Sequence, residues 1–301
     1  MPMPKTVSSL EDGIRLRRFL MRHYPSIGML EIRKLCRTGE IRVNSKRCRE
    51  ADVLHNGDIV RIPPVVAHAM RQMPRPRALA FTLGELERLR QTIIHNDDDI
   101  VAFNKPAGLA SQGGGGIKKS LDKMAAALFP NDNILLVHRL DMDTSGVIVV
   151  AKNQMAAQKL ASAFQTKEVS KMYMAVLAGD ISPRNGEIDF PINEKYAVTR
   201  YEMVAHIPGH LTLVRYAPLT GRKHQLRIHS AIGMNAPIIG DSVYGSRELD
   251  KQAMDLIDIK HMYLFAEKIT FRHPKTGKIL TIKPEAPTWF KNAEKIIKGE
   301  I

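Results

Sequence analysis

Two apolar runs, Ile134-Leu135-Leu136-Val137 and Val147-Ile148-Val149-Val150-Ala151, flank the polar string His138-Arg139-Leu140-Asp141-Met142-Asp143-Thr144-Ser145-Gly146. Runs of this length and type read as buried strands. Thr144, Ser145 and Gly146 are turn formers, so the string between the runs reads as a loop. A chain that buries both runs holds Asp141 between two strands, two residues from Arg139. Desolvation there disfavours the charged carboxylate and a neighbouring guanidinium favours it. An ionised group is expected, suited to nucleophilic or electrostatic work and not to proton donation. Taken alone, an Arg-x-Asp also fits a structural ion pair.

The length of 301 residues favours two domains, and 44% hydrophobic residues suffice for a core in each. No apolar stretch approaches the roughly 18 residues that span a bilayer. The start, Met1 to Ser9, has no apolar segment of the signal-peptide kind. Cys36 and Cys48 lack metal-ligand spacing and suggest a reducing compartment, hence a cytoplasmic location. The net charge of +14 is uneven: residues 1–92 hold 18 of the 45 Lys/Arg but only 9 of the 31 Asp/Glu. Such an excess is a footprint for a polyanion, or a solvated basic face.

Residues 1–12 read as a flexible tail. From Gly13, the apolar positions Ile14, Leu16, Phe19 and Leu20, then Met29, Ile32 and Leu35, give two amphipathic helices, the second ended by Gly39. Ile41–Asn44 reads as a strand entering a turn, and Asn56-Gly57 as a hairpin signal before the strand 58–62. Residues 63–92 form a basic connector with Pro74 and Pro76, in which 85–91 could make a short helix. Beyond Ile93 the composition is that of a mixed, strand-rich domain. Asp97-Asp98-Asp99 is a turn between strands, because consecutive carboxylates point different ways and do not converge on a metal. Asn104-Lys105-Pro106-Ala107-Gly108-Leu109 precedes Gly113–Gly116, a glycine run without the Lys-Ser/Thr placement of a phosphate loop, read as a flexible surface loop. Gln154–Lys167 has one apolar helical face, and Lys171–Gly179 reads as a strand with Tyr173 opposite Met172 and Met174. Leu211–Tyr216 is another strand, leading to Leu219-Thr220-Gly221-Arg222-Lys223-His224-Gln225-Leu226-Arg227-Ile228-His229, a strand-turn-helix with Thr220 as the cap. His224 and His229 are five apart, which misses the spacing of a metal-binding helix face.

The string His-Arg-Leu-Asp-x-x-Thr-Ser-Gly resembles the signature loop of the RluA-type pseudouridine synthases. Asn104–Leu109, Lys171-x-Tyr173-x-Ala175 and Thr220–His229 resemble that family's other motifs, and Gly240-Asp241-x-x-Tyr244-Gly245 fits a stretch read as structural. Residues 13–62 resemble the S-four-type RNA-binding module, through Arg33-Lys34-Leu35, Thr38–Asn44, Lys46-Arg47 and Leu54 through Val60. The chain departs from the family at Ser111–Gly116 and Phe265, where a His is frequent, and at Met142, frequently Arg. These departures touch RNA recognition more than the reaction.

The resemblance implies an α+β fold: a mixed, mostly antiparallel sheet in a catalytic domain over 93–290, a small N-terminal α/β RNA-binding domain, and a C-terminal tail over 291–301. It implies a cofactor-free, metal-free isomerisation of uridine to pseudouridine in RNA. Asp141 would be catalytic, Arg227 would pair with it, and Tyr173 would stack on uracil or take its C5 proton. Arg139 would fill the space the flipped base leaves, with Arg222 also on RNA. In the module, Arg33, Lys34, Arg37, Arg42, Lys46, Arg47 and Arg49 would meet phosphates. The module and core together resemble the branch that acts on large-subunit ribosomal RNA, as a monomer. Transfer RNA as substrate, or a catalytically silent ribosome-assembly factor, are the alternatives. A methyltransferase would need a glycine-rich cofactor loop after a strand, and none is present.

Overall fold

The computed structural model describes residues 3–24, 28–63, 81–114, 116, 117 and 119–300. The chain divides into two compact units, Met1–Leu79 and Ala80–Ile301.

The first unit packs helices Leu16–His23 and Met29–Thr38 against a four-stranded antiparallel sheet of β1 (Met3–Thr6), β2 (Arg42–Val43), β3 (Lys46–Arg47) and β4 (Ile59–Ile62), ordered β1-β4-β2-β3. Leu16, Phe19 and Leu20 fall on one helical face, Ile32 and Leu35 on the other helix, and all five are buried with Val60 and Ile62. Residues 3–12 are therefore not a tail. Met3–Thr6 pairs along β4, Met3 opposite Ile62, and Val7 is buried. Asn56-Gly57 makes a turn but no hairpin, because β4 pairs with β1 and β2. The hairpin is β2–β3, joined by Asn44 and Ser45, both with positive φ. Cys36 and Cys48 are free and buried.

Part of the expected linker, 64–80, lies outside the described residues, and 81–92 belongs to the second unit. Thr82 and Glu85 form a capping box that starts the helix Leu83–Arg90, and Phe81, Leu86 and Leu89 are buried in that unit's core. At the other end, 291–298 is no tail: the helix Thr288–Lys298 buries Phe290, Ala293 and Ile297.

The second unit is built on β5 (Ile93–Asn96), β6 (Ile100–Lys105), β7 (Leu135–Leu136), β8 (Ser145–Ala151), β9 (Ser170–Ala178), β10 (Asn185–Asp189), β11 (Val198–Ile207), β12 (Leu211–Pro218), β13 (Leu264–Arg272) and β14 (Ile279–Ile282). They form one ten-stranded sheet whose main path runs β10-β11-β12-β9-β13-β8-β6-β5, with β14 on β13 and β7 on β8. The mixed, mostly antiparallel sheet read from the sequence is thus present. Its one parallel pairing among the described strands joins β13 to β8, with Phe265 opposite Ser145 and Ala266 opposite Gly146. Two apolar cores lie in this unit, one built around β9 and β12, the other around β6 and β8. All seven residues of β8 are buried, which explains its unbroken apolar run. Tyr173 of β9 packs against both cores.

The acidic turn Asp97–Asp99 lies between β5 and β6. Asp97, Asp99 and His273 bring possible ligand atoms within 4.8 Å of one another. His273 Nδ1 accepts from the amides of Lys275 and Thr276 at 3.2 Å, so Nε2 carries the proton and donates to Asp97 Oδ2 at 3.0 Å. Burial would raise the Asp97 carboxyl, but bonds from His95, two amides and His273 hold it at about 2. The cluster is a fastening between the β5–β6 turn and the β13–β14 hairpin.

The seam between β8 and β13 depends on Gly146. Its φ is +108°, and a Cβ there would lie 2.4 Å from the Ala266 carbonyl oxygen. Gly146→Ala is expected to cost at least ~2 kcal/mol in denaturant unfolding. Gly84→Ala, in open space on a helix, should be neutral or stabilise by up to ~1 kcal/mol.

Candidate active site

Asp141 stands in the loop that connects β7 to β8, four residues before the seam. The loop is held through its backbone on both sides of Asp141. Ser111 Oγ donates to the Leu140 carbonyl at 2.6 Å and accepts from the Leu140 amide at 3.1 Å. The Met142 carbonyl accepts from Lys105 Nζ at 2.9 Å and from the Gly108 amide at 3.0 Å. A turn closes behind it, with the Thr144 amide donating to the Asp141 carbonyl at 3.1 Å. The Asp141 side chain itself stays 29% exposed, open to a substrate.

Lys105 is fully buried, and its ammonium donates also to the carbonyls of Pro106 and Leu109, at 2.9 and 2.8 Å. Burial pulls its pKa down to about 7, while Asp143 and Asp141 pull it back up. Three acceptors at hydrogen-bond distance require three N–H donors, which only the ammonium carries.

His138 extends the short β7–β8 ladder. Leu136 pairs with Val150, and the next amide of β8 in line, Val149, donates to His138 Nε2 at 2.9 Å. Burial, aided by Lys171, lowers the imidazole to about 3, so the ring is the neutral acceptor this bond requires. Arg139, the next residue, is exposed.

Arg227 lies on the short helix Gln225–Ile228, and its side chain is 4% exposed. Its guanidinium forks onto Asp241, Nε to Oδ2 at 2.7 Å and Nη2 to Oδ1 at 2.5 Å. Its remaining nitrogen, Nη1, reaches Asp141 Oδ2 at 3.6 Å. The expected pairing with Asp141 is therefore the longer of two contacts, and Asp241 is the group that aims the arginine. Burial alone would raise the Asp241 carboxyl, yet Arg227 and the amides of Tyr244 and Val243 hold it below the ordinary carboxylate range. Burial opposes the Arg227 charge, and the two carboxylates more than restore it. The Tyr244 ring lies 5.2 Å from the guanidinium carbon.

His224 Nε2 lies 3.9 Å from Asp141 Oδ1, and its Nδ1 is 3.0 Å from Tyr244 Oη. Tyr173, half-buried on β9, lies opposite Ala266 of β13, which in turn lies opposite Gly146 at the end of the Asp141 loop. Burial first, and then Asp141, push its hydroxyl above the usual phenol range, so it is a neutral phenol.

Thr220 does not cap the helix, whose N-cap is His224. Its hydroxyl accepts from the Val198 amide at 2.9 Å and donates to Gln225 Oε1 at 2.7 Å, tying the motif to β11. Arg222 is exposed, with Nε on the Tyr196 carbonyl at 2.9 Å.

The structure thus gathers Asp141, Tyr173 and Arg227, and adds Lys105, Ser111, His138, His224, Asp241 and Tyr244. In the N-terminal unit, Lys34, Arg37, Lys46, Arg47 and Arg49 are exposed. Arg33 pairs with Glu50 at 2.9 Å. Arg42 is half-buried and spends its guanidinium on the Gly39 and Ser45 carbonyls, so it holds the hairpin turn before it could hold a phosphate.

Residues 99–231 match the family model described as RNA pseudouridylate synthase. The chain is 33% identical over 297 residues to a ribosomal large subunit pseudouridine synthase C of Rickettsia felis, covering 92% of this chain and 94% of that protein. It is 34% identical over 284 residues to the protein of the same name from Vibrio cholerae, covering 90% and 89%. Among solved structures, human RNA pseudouridylate synthase domain containing 4 superposes with a TM-score of 0.59 at 25% identity, over 71% of this chain and 95% of that one.

Asp241→Asn should leave Arg227 with a weaker partner and let it drift. A displacement of about 1 Å is expected to lower kcat on the order of 100-fold with RNA affinity unchanged. Single-turnover rates beside filter binding check this.

Proposed function

The chain belongs to the RNA pseudouridylate synthase family, and on that premise we propose that it isomerises uridines of large-subunit ribosomal RNA, with Asp141 as the group that acts on the sugar. The observation that carries the assignment of Asp141 is its setting. It is an accessible carboxylate whose two neighbours are pinned by Lys105, Gly108 and Ser111, while Arg227 stands 3.6 Å from one oxygen.

The target base first leaves its stack, at a cost of a few kcal/mol. Arg139, exposed beside Asp141, fills the vacated space. Asp141 then assists cleavage of the N-glycosidic bond, by attack at C1′ or by promoting a sugar intermediate. Either route places C1′ against its carboxylate. Arg227 holds that carboxylate in position and favours its charge. Tyr173, as a neutral phenol, packs against the freed uracil while the ring turns and presents C5 to C1′. Isomerisation consumes no second substrate.

The ribosomal target is supported by relatives that match along nine-tenths of both chains. The N-terminal unit is read as the RNA-binding module, with Lys34, Arg37, Lys46 and Arg47 on phosphates in a sequence-independent, salt-sensitive way.

Ribosomal RNA labelled with tritium at uracil C5 tests the reaction, since that hydrogen leaves when C5 joins the sugar. Release is expected from the wild type and none above background from Asp141→Ala, which should still bind RNA. Release from transfer RNA alone would move the substrate and keep the chemistry. Replacing Lys34, Arg37, Lys46 and Arg47 together by Ala should flatten the slope of log affinity against log salt by about 3. An unchanged slope would show that these side chains do not hold RNA.

A further inference from the structure

The reaction ends with a proton leaving carbon. Once C5 has bonded to C1′, C5 is tetrahedral and the ring holds a C6=N1 double bond. The C5–H electrons must then form C5=C6, the C6=N1 pair must return to N1, and N1 must take a proton. The hydrogen is lost close to Asp141, because C5 is by then one bond, roughly 1.5 Å, from the sugar carbon that Asp141 faces.

Few groups near Asp141 can accept that hydrogen. The Arg227 guanidinium has no lone pair to offer. All three N–H bonds of Lys105 are spent on carbonyls. Tyr173 is a neutral phenol, because burial and Asp141 oppose its ionisation. Asp141 is a free carboxylate again once C5 has bonded to C1′, but a carboxylate is a weaker base than an imidazole, and this one also faces the Arg227 guanidinium at 3.6 Å. His224 remains, with Nε2 at 3.9 Å from Asp141 Oδ1 and its side chain 21% exposed.

Two further features mark this imidazole. Its Nδ1 is 3.0 Å from Tyr244 Oη. A phenol oxygen accepts as readily as it donates, so Nδ1–H can be given to Tyr244 and the Nε2 lone pair left toward Asp141. Its backbone is left-handed, with φ 55° and ψ 24°, at the N-cap of Gln225–Ile228, yet its side chain makes no capping bond. A conformation costing roughly 1–3 kcal/mol persists where the surroundings enforce it, and here it sets the ring beside the carboxylate.

We propose that His224 is the general base of the final step, taking the C5 proton on Nε2. The assignment rests on the synthase reading above. The resulting imidazolium is stabilised by Asp141 and by Tyr244, and returns its proton to solvent while N1 takes one up. Burial lowers the pKa of His224, against the pull of Asp141, so the ring enters the cycle neutral at neutral pH.

The test separates this step from those before it. His224→Gln is compared with the wild type on RNA bearing uridine, 5-deuterated uridine or 5-fluorouridine at the target. The fluorinated ring can be cleaved and rejoined but has no C5 proton to lose. The variant should release C5 hydrogen at least ~100-fold more slowly. It should show a larger primary deuterium isotope effect than the wild type, and cleave 5-fluorouridine RNA at the wild-type rate. An isotope effect is a ratio within one preparation, so it stands even where part of the variant is misfolded. Equal losses on uridine and 5-fluorouridine RNA, or no increase in the isotope effect, would overturn the assignment. Wild-type protein that releases no hydrogen from any RNA would sink the synthase reading itself.

Discussion

One buried ammonium group underlies the site. Lys105 Nζ joins three carbonyls, two in its own Asn-Lys-Pro-Ala-Gly-Leu turn and one at Met142, the residue after Asp141. Removing a charge from water is costly unless the surroundings repay it, and here three carbonyl dipoles and two nearby carboxylates do so. On the role proposed for Asp141, the arrangement solves a problem particular to a reacting carboxylate: it is to be fixed in place, yet bonds made directly to its oxygens would cover the atoms that are to work. Holding Leu140 and Met142 by their main chains fixes the side chain's origin and leaves its oxygens free.

Behind that loop the charges alternate: Asp141, Arg227, Asp241. The fork on Asp241 is short and geometrically complete, whereas the contact with Asp141 is 3.6 Å long and open to change. An arginine satisfied elsewhere can steady a carboxylate without neutralising it. The asymmetry suits the role proposed for Asp141, in which its charge shifts toward a sugar carbon as the reaction proceeds.

Much of this is legible in the residues alone. The unbroken apolar run 147–151 announces a buried strand, but of the turn formers 144–146 only Thr144 lies in the loop: Ser145 and Gly146 already belong to β8, where β13 offers them a partner. Motif resemblance singles out Asp141, Tyr173 and Arg227, and the fold brings them together. The bond between Arg227 and Asp241 is not legible, because 14 residues separate the partners and nothing local in Gly-Asp-x-x-Tyr-Gly announces an arginine. Lys105 stands within a motif, but its task is hidden, since burial of a lysine is decided by tertiary packing. The terminal segments mislead for a similar reason. Met3–Thr6 is a strand only because β4 offers it an edge, and Thr288–Lys298 is part of a core only because β11 and β12 lie beneath it. Sequence spacing tests His224 only as a metal ligand, and it is silent on how a left-handed residue aims its ring.

The seam at Gly146 bears also on how the molecule comes into being. β8 gains its parallel neighbour from residues 264–272, more than a hundred positions later in the chain. As the polypeptide emerges from the ribosome, the loop with Asp141 is made early, but the Ser145–Gly146 end of its strand, beyond the reach of β7, stays bare on one side until β13 arrives. Pairings this distant are slow to form, and a bare edge invites association with other chains. Competence to modify RNA is therefore acquired late, once β13 has been synthesised. A product truncated before that strand would carry Asp141 on a loop whose following residues, Ser145 and Gly146, lack their parallel partner.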